Sequence, residues 1–239
     1  MLLKERGLVK SVRFKDHRYI GDPLNAARIF NEFQADELIF LDIEASRNGR
    51  LISLEFVDAV AEEVTMPFSV GGGIRSIEDI RAIIRSGVEK VIIGTRAAQE
   101  PEFIRQAADE FGSSTISVCI DVKKDLFRRD RVRILGGKQA TKFGPVEFAQ
   151  LMEKNGAGEL IIQSIDRDGM MDGYDIDLVK AVSASVSVPV VALGGAGSWN
   201  DLAQAVERGN ANDVAAGSLF VYQSKQRGVL INYPADKLF

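Results

Sequence analysis

Cysteine and histidine are almost missing from this chain of 239 residues, where Cys119 and His17 stand alone. A single cysteine excludes an intrachain disulfide framework, and one residue of each kind leaves no His/Cys cluster to hold a metal. Long hydrophobic runs are missing too. No apolar stretch reaches the roughly 18 residues that a membrane-spanning helix needs, and the start MLLKERGLVK is too short and too charged for a signal peptide. Charge of one sign is scarce: a net charge of -4 argues against a general nucleic-acid binder. The local exception is KKDLFRRDRVR (123–133), which reads as the solvated edge of a hairpin. What remains is a chain with 46 % hydrophobic and 27 % charged residues, able to bury a large core. The expectation is a cytoplasmic protein without cofactor, metal, nucleic acid or membrane.

Short apolar runs alternate with longer stretches of helical period. Strands are expected at ELIFLDI (37–43), PFSV (67–70), KVIIG (90–94), TISVCID (115–121), ELIIQSI (159–165), VPVVAL (188–193) and DVAAG (213–217). Runs of this kind suit strands buried on both faces. Helices are expected after Asp22-Pro23, Ser76, Glu100-Pro101, Pro145 and Ser198, most of them ending at a glycine. Strict alternation means a parallel sheet, and no Pro/Ser-rich linker divides the chain.

An internal repeat decides the architecture. Adding 122 to a residue number carries Glu37, Leu38 and Ile39 onto Glu159, Leu160 and Ile161, and Gly72-Gly73 onto Gly194-Gly195. The same shift carries Ser76 onto Ser198, Asp79 onto Asp201 and Gly87 onto Gly209, without a gap. A period of half the chain, with about four strands per copy, predicts a single (β/α)8 barrel domain over 1–239 built from two half-barrels. An open doubly wound sheet is the alternative, and its edge strands would break the equivalence.

Barrel chemistry sits at the C-terminal ends of the strands. Gly71, Gly72 and Gly73 follow PFSV there, and their repeat mates sit in ALGGAGS. Alone, three glycines are either a tight turn or a cradle of backbone N–H groups for an anion. The second copy favours the cradle, as do Gly94-Thr95 and Gly217-Ser218 after the next strands. Two such sites across one mouth imply a ligand phosphorylated at both ends. Strand-end acids add Asp42, Asp121, Asp166 and Asp168. Asp121 follows a wholly apolar strand and is the best acid/base candidate. Asp166 reads as a loop anchor, and Asp42 fits either role equally.

The segments DELIFLDIEAS, PFSVGGGIRS, FGSSTISVCIDVK, GAGELIIQSIDRDGMMDGYD and PVVALGGAGS resemble the HisF family, the cyclase subunits of imidazole glycerol phosphate synthase in histidine biosynthesis. The resemblance covers nearly the whole chain. It implies a (β/α)8 barrel that takes ammonia through its axis from a glutaminase docked on the opposite face. The implied reaction cleaves a bisphosphorylated intermediate and closes an imidazole ring. Carried over, it makes Asp121 a catalytic acid/base and puts Asp168 and Gly169 in the substrate loop. Gly73 with Thr95, and Gly195 with Ser218, match the two phosphate sites, Lys10 matches a flexible-loop lysine, and Glu37, Lys90 and Glu159 match three members of an ammonia gate.

The resemblance also exposes departures. The family's first strand ends in a catalytic aspartate where this chain has Leu2, and the strand is expected to be truncated. Glu5 lies beyond that position in the loop. Gln163 and Gly94 replace a threonine and an asparagine, and the gate arginine has no counterpart. Two readings follow from this. One is an ordinary cyclase. The other is a divergent HisF-like subunit or phosphate-binding scaffold that passes ammonia to a sugar amidotransferase in surface-polysaccharide biosynthesis, as relatives beginning with GLVK do. The isomerase preceding this step is disfavoured, because it also uses two strand-end aspartates.

Overall fold

The computed structural model describes residues 1–223 and 228–234. Chain order runs β1 (Leu2–Lys4), β2 (Gly7–Val12), β3 (Lys15–Gly21), α1 (Pro23–Glu32), β4 (Leu38–Asp42), α2 (Leu54–Glu63), β5 (Phe68–Gly71), α3 (Ile77–Arg85) and β6 (Lys90–Ile93). It continues through α4 (Thr95–Gln99), α5 (Glu102–Phe111), β7 (Ile116–Lys124), β8 (Asp130–Ile134), β9 (Gln139–Ala140), α6 (Pro145–Lys154) and β10 (Glu159–Ser164). The last elements are α7 (Ile176–Ser183), β11 (Val190–Leu193), α8 (Trp199–Glu207), β12 (Asp213–Ala215) and α9 (Ser218–Val221).

Eight of these strands run parallel, in the order β1, β4, β5, β6, β7, β10, β11, β12, and curl into a (β/α)8 TIM barrel. The remaining strands are antiparallel hairpin arms. β2 and β3 extend β1, while β8 and β9 extend β7. The first barrel strand is short, as expected. Its register still sets Leu2 beside Leu41 and Leu3 beside Asp42.

Period-2 alternation divides each strand between two environments. Outward residues such as Phe40, Val70, Val118, Leu160 and Val190 are buried in one large core beneath the helices. Inward residues make a smaller apolar belt of Ile92, Ile161 and Val191, packed by Ile39, Leu41, Cys119, Leu193 and Ala215. Leu3 joins the outer core, which leaves Leu2 on the inner side, where it lines the barrel cavity.

Helix starts follow the sequence signals. Asp22 accepts from the Asn25 N–H, and Pro23 opens α1. Ser76 and Ser198 each form a capping box, with Asp79 and Asp201 respectively. Helices α2 and α7 lacked a clear signal, because apolar residues crowd them and blur the polar face. They begin at Ser53 and Asp175, whose side chains cap Phe56 and Leu178, and these positions are also 122 apart. β12 stops at Ala215, two residues before the expected end, while β7 runs three residues beyond Asp121 because β8 pairs with it.

Candidate functional site

At the N-terminal end of the barrel, inward parity brings Glu37, Lys90 and Glu159 together. Lys90 Nζ lies 3.3 Å from Glu37 Oε2 and 2.7 Å from Glu159 Oε2. Two hydroxyls complete the ring: Ser117 Oγ donates to Glu159 Oε1 at 2.8 Å, and Ser69 Oγ donates to Glu37. Burial alone would lower the Lys90 pKa, but hydrogen bonding and attraction from Glu159 and Glu37 outweigh it and raise it. The ring is therefore one cation held between two carboxylates across the barrel floor, with a net negative charge. Neither serine is among the site residues that the sequence singles out. Their signal was parity, since Ser69 stands two residues before Gly71 and Ser117 two before Cys119 on inward-facing positions.

At the other end, the four strand-end acids do different work. Asp42 is a loop anchor. Its Oδ1 accepts the Glu44 and Ala45 N–H groups at 3.0 Å each, and Arg50 holds the carboxylate through contacts of 2.6 and 3.2 Å. Asp166 is another, accepting from the Lys124 N–H at 3.1 Å. Asp168 ties the β2–β3 hairpin to the mouth: Ser11 Oγ donates to it at 2.7 Å, the Phe14 N–H at 3.4 Å and Gln163 Nε2 at 3.5 Å. Gly169 follows it in the cavity lining.

Asp121 is the exception. No cation holds it. Burial pushes its pKa up to about 7, the Cys119 thiol partly opposes that shift by donating across 3.6 Å, and the Asp168 charge reinforces it. A carboxyl group balanced between its two states near neutral pH can both give and take a proton. Cys119, the lone cysteine, is its side-chain partner, and its own pKa is raised by burial.

The two glycine cradles occupy equivalent places. A Cβ on Gly73 (φ +72°) would meet the Arg50 carbonyl at 1.8 Å, and one on Gly195 (φ +120°) the Gly173 carbonyl at 2.2 Å. Only glycine lets the preceding loop close over either turn. Their surroundings differ. In the first cradle the Gly73 N–H already donates to Ser46 Oγ at 3.3 Å, and Thr95 Oγ1 accepts from the Leu135 N–H at 3.2 Å. In the second, Lys10 reaches across the mouth so far that a Cβ on Gly217 would meet its Nζ at 2.1 Å. Burial lowers the Lys10 pKa, and Asp168 opposes the shift.

A cavity of about 1270 Å³ touches both ends, and it also takes in Phe30 of α1 and Phe33 just after it, Leu202 of α8 and Leu230, outside the strands. Its lining runs from Glu37, Lys90 and Glu159 past Ile39, Leu41, Val191 and Leu193 to Lys10, Asp168, Gly194, Gly195, Gly217 and Ser218. Gly72, Gly73, Thr95 and Asp121 are outside that lining. Among the described residues no group of three His, Cys, Asp or Glu side chains could hold a metal, and no helix is long and apolar enough to cross a membrane.

Comparison with known proteins places this geometry. Residues 2–226 match the model of a family described as histidine biosynthesis protein. A Pseudomonas aeruginosa protein provisionally named imidazole glycerol phosphate synthase subunit hisF2 is 48% identical over 98% of this chain and 93% of its own length. A Vibrio vulnificus protein provisionally named subunit hisF3 of the same synthase is 44% identical over 98% of this chain and 91% of its own. Subunit HisF of the synthase from Alkaliphilus metalliredigens is 43% identical over 90% of this chain and 85% of its own.

Proposed function

This chain belongs to the histidine biosynthesis protein family, as a HisF-like imidazole glycerol phosphate synthase subunit, and from that premise we propose that it works mainly as an ammonia-conducting subunit. A glutaminase docks on the face carrying Glu37, Glu89, Lys90 and Glu159, and ammonia travels along the barrel to the mouth. There it serves the amidation of a sugar in surface-polysaccharide synthesis. One observation carries this reading: a single cavity is lined both by the Glu37–Lys90–Glu159 ring and by the Gly195–Ser218 cradle, while Leu2 puts hydrocarbon where the mouth would need a second carboxyl group.

The interior suits the task. Between floor and mouth the wall is aliphatic, and moving an ion through such a wall costs far more than moving a neutral molecule. Lys90 offsets one of the two glutamate charges at the floor, and the hydroxyls of Ser69 and Ser117 donate to the carboxylates, so the entrance keeps a small net negative charge. Ring closure asks for an acid and a base on opposite sides of the substrate. Asp121 supplies one group, and a leucine side chain cannot transfer a proton.

The second reading, an ordinary cyclase, rests on Asp121, whose pKa of about 7 fits acid/base work. One assay separates the two. The purified chain is given the bisphosphorylated intermediate and ammonium salt, beside a relative that has the strand-one aspartate. The conducting reading expects little cyclisation and a gain on Leu2→Asp. Turnover equal to that of the relative overturns it in favour of the cyclase. Assembly is tested separately, by mixing the chain with its glutaminase and following release of glutamine amide nitrogen. Failure to stimulate the glutaminase would remove the conduit.

A further inference from the structure

The β7–β8 hairpin rises beyond the barrel mouth and ends in Asp125–Arg129. At its tip Leu126 is 99% exposed and Phe127 78% exposed. Other large apolar side chains are exposed too, Tyr19 and Leu230 among them, but Leu126 and Phe127 are the most exposed of those described and stand side by side on one projecting turn. This tip is held in place rather than left loose. Asp125 Oδ1 accepts the Phe127 N–H at 2.8 Å and the Arg129 N–H at 3.0 Å, and the Asp125 N–H donates to the Arg129 carbonyl at 2.8 Å. The Arg129 guanidinium bonds Asp125 at 3.1 Å and lies 5.1 Å from the Phe127 ring centre. The turn thus presents its apolar pair at little entropic cost.

Charge surrounds the pair. Residues 123 to 142 carry Lys123, Lys124, Arg128, Arg129, Arg131, Arg133, Lys138 and Lys142 against only Asp125 and Asp130, in a chain where acids outnumber bases by 34 to 30. The two acids are engaged: Asp130 pairs with Lys124, and Asp125 with Arg129 and Arg131. The outer surface of the hairpin is therefore cationic on a molecule that is anionic elsewhere.

We propose that this tip docks the barrel, mouth first, onto an anionic lipid surface, with Leu126 and Phe127 entering the headgroup boundary and the flanking lysines and arginines meeting lipid phosphates. Area favours lipid over a protein partner. Two side chains on a narrow turn are far short of the roughly 800 Å² per partner of a stable protein interface, whereas a bilayer needs only a small wedge and a diffuse cationic rim. Nucleic acid fits less well. Single-strand binders use aromatic faces as stacking platforms, and here Arg129 already covers the Phe127 ring. This docking does not depend on the conducting reading, and it adds no spanning segment.

The test uses the full chain, sedimented with phosphatidylcholine vesicles that either contain or lack phosphatidylglycerol, at low and high salt. Expected is binding to the anionic vesicles alone, suppressed by salt. Leu126→Ser with Phe127→Ser should weaken it by more than about tenfold, and Arg128→Gln by about fivefold. Both changes lie on the exposed turn, and thermal melting checks that folding is intact. Absence of binding at low salt, or equal binding by the double variant, overturns the proposal. So does binding to oligodeoxythymidine, or a dimer abolished by the double variant, when vesicles are ignored.

Discussion

The two halves of the barrel share a plan and differ in what they leave open. The first half begins on β1, which turns Leu2 inward, and its Gly73 cradle is closed by contacts from Ser46 and Leu135. The second begins on β7, which carries the titratable Asp121, and its Gly195–Ser218 cradle opens into the main cavity beneath Lys10. The scaffold is the same in both: capping boxes at Ser76 and Ser198, caps at Ser53 and Asp175, and Glu37 and Glu159 on the same floor. Equivalence survives at the helix starts and on the floor and lapses at the mouth. The carboxyl group whose pKa is raised to about 7 and the cradle that opens into the cavity thus lie in one half of a symmetric frame.

The largest loss of stability in that comparison is expected at Asp42 and its repeat mate Ser164. Asp42→Ala strands Arg50 and two loop N–H groups together, and should lower unfolding stability by about 3 kcal/mol. Ser164→Ala removes one hydroxyl and should cost less than about 1 kcal/mol. Urea melts of the two variants make the measurement.

Next comes pH. Asp121 has a higher pKa folded than unfolded, so the folded state holds its proton more tightly between about pH 4 and 7. Its contribution is fully present below about pH 4 and is lost as pH rises through about 7. Asp121→Asn keeps the shape without the charge, and should be more stable than the natural chain at pH 8 by up to about 4 kcal/mol, with the gap closing toward pH 4. Parallel melts across that range would show a constant gap if burial were not the cause.

Anion binding sharpens the contrast of cradles. Lys10→Met should weaken inorganic phosphate binding by about tenfold, as loss of one charged hydrogen bond does. Ser46→Ala, in the closed cradle, should leave it unchanged. Calorimetric titration with phosphate distinguishes them. The smallest effect concerns what the halves have in common. Ser76→Ala and Ser198→Ala should each cost about 1 kcal/mol, and a clear inequality in thermal melts would show that the boxes are not equivalent.

Much of this was legible in the sequence because it depends on local rules. Buried parallel strands read as apolar runs, Pro23 and Ser76 mark helix starts, and a gap-free offset of 122 reveals the duplication. The family resemblance singles out Glu37, Lys90 and Glu159, which the fold brings into one charged ring. It does not single out the serines, since a hydroxyl joins the ring only when the curl of the sheet turns it toward a glutamate. The difference between cradles was hidden for the same reason. Ser46 and Leu135 reach the first one from remote loops, and Lys10 reaches Gly217 from across the mouth. Two matching glycine turns suggested a ligand with two phosphates, whereas the main cavity meets one of them.

The paired capping boxes carry an engineering consequence. Each fixes the N-terminus of a helix through its own serine and aspartate, without borrowing from the opposite half. A half-barrel that starts its own helices is an interchangeable part. Two fused copies of the segment running from β7 through α9 would each bring their own capping box, and the product would carry two Gly195–Ser218 cradles and two Asp121 positions.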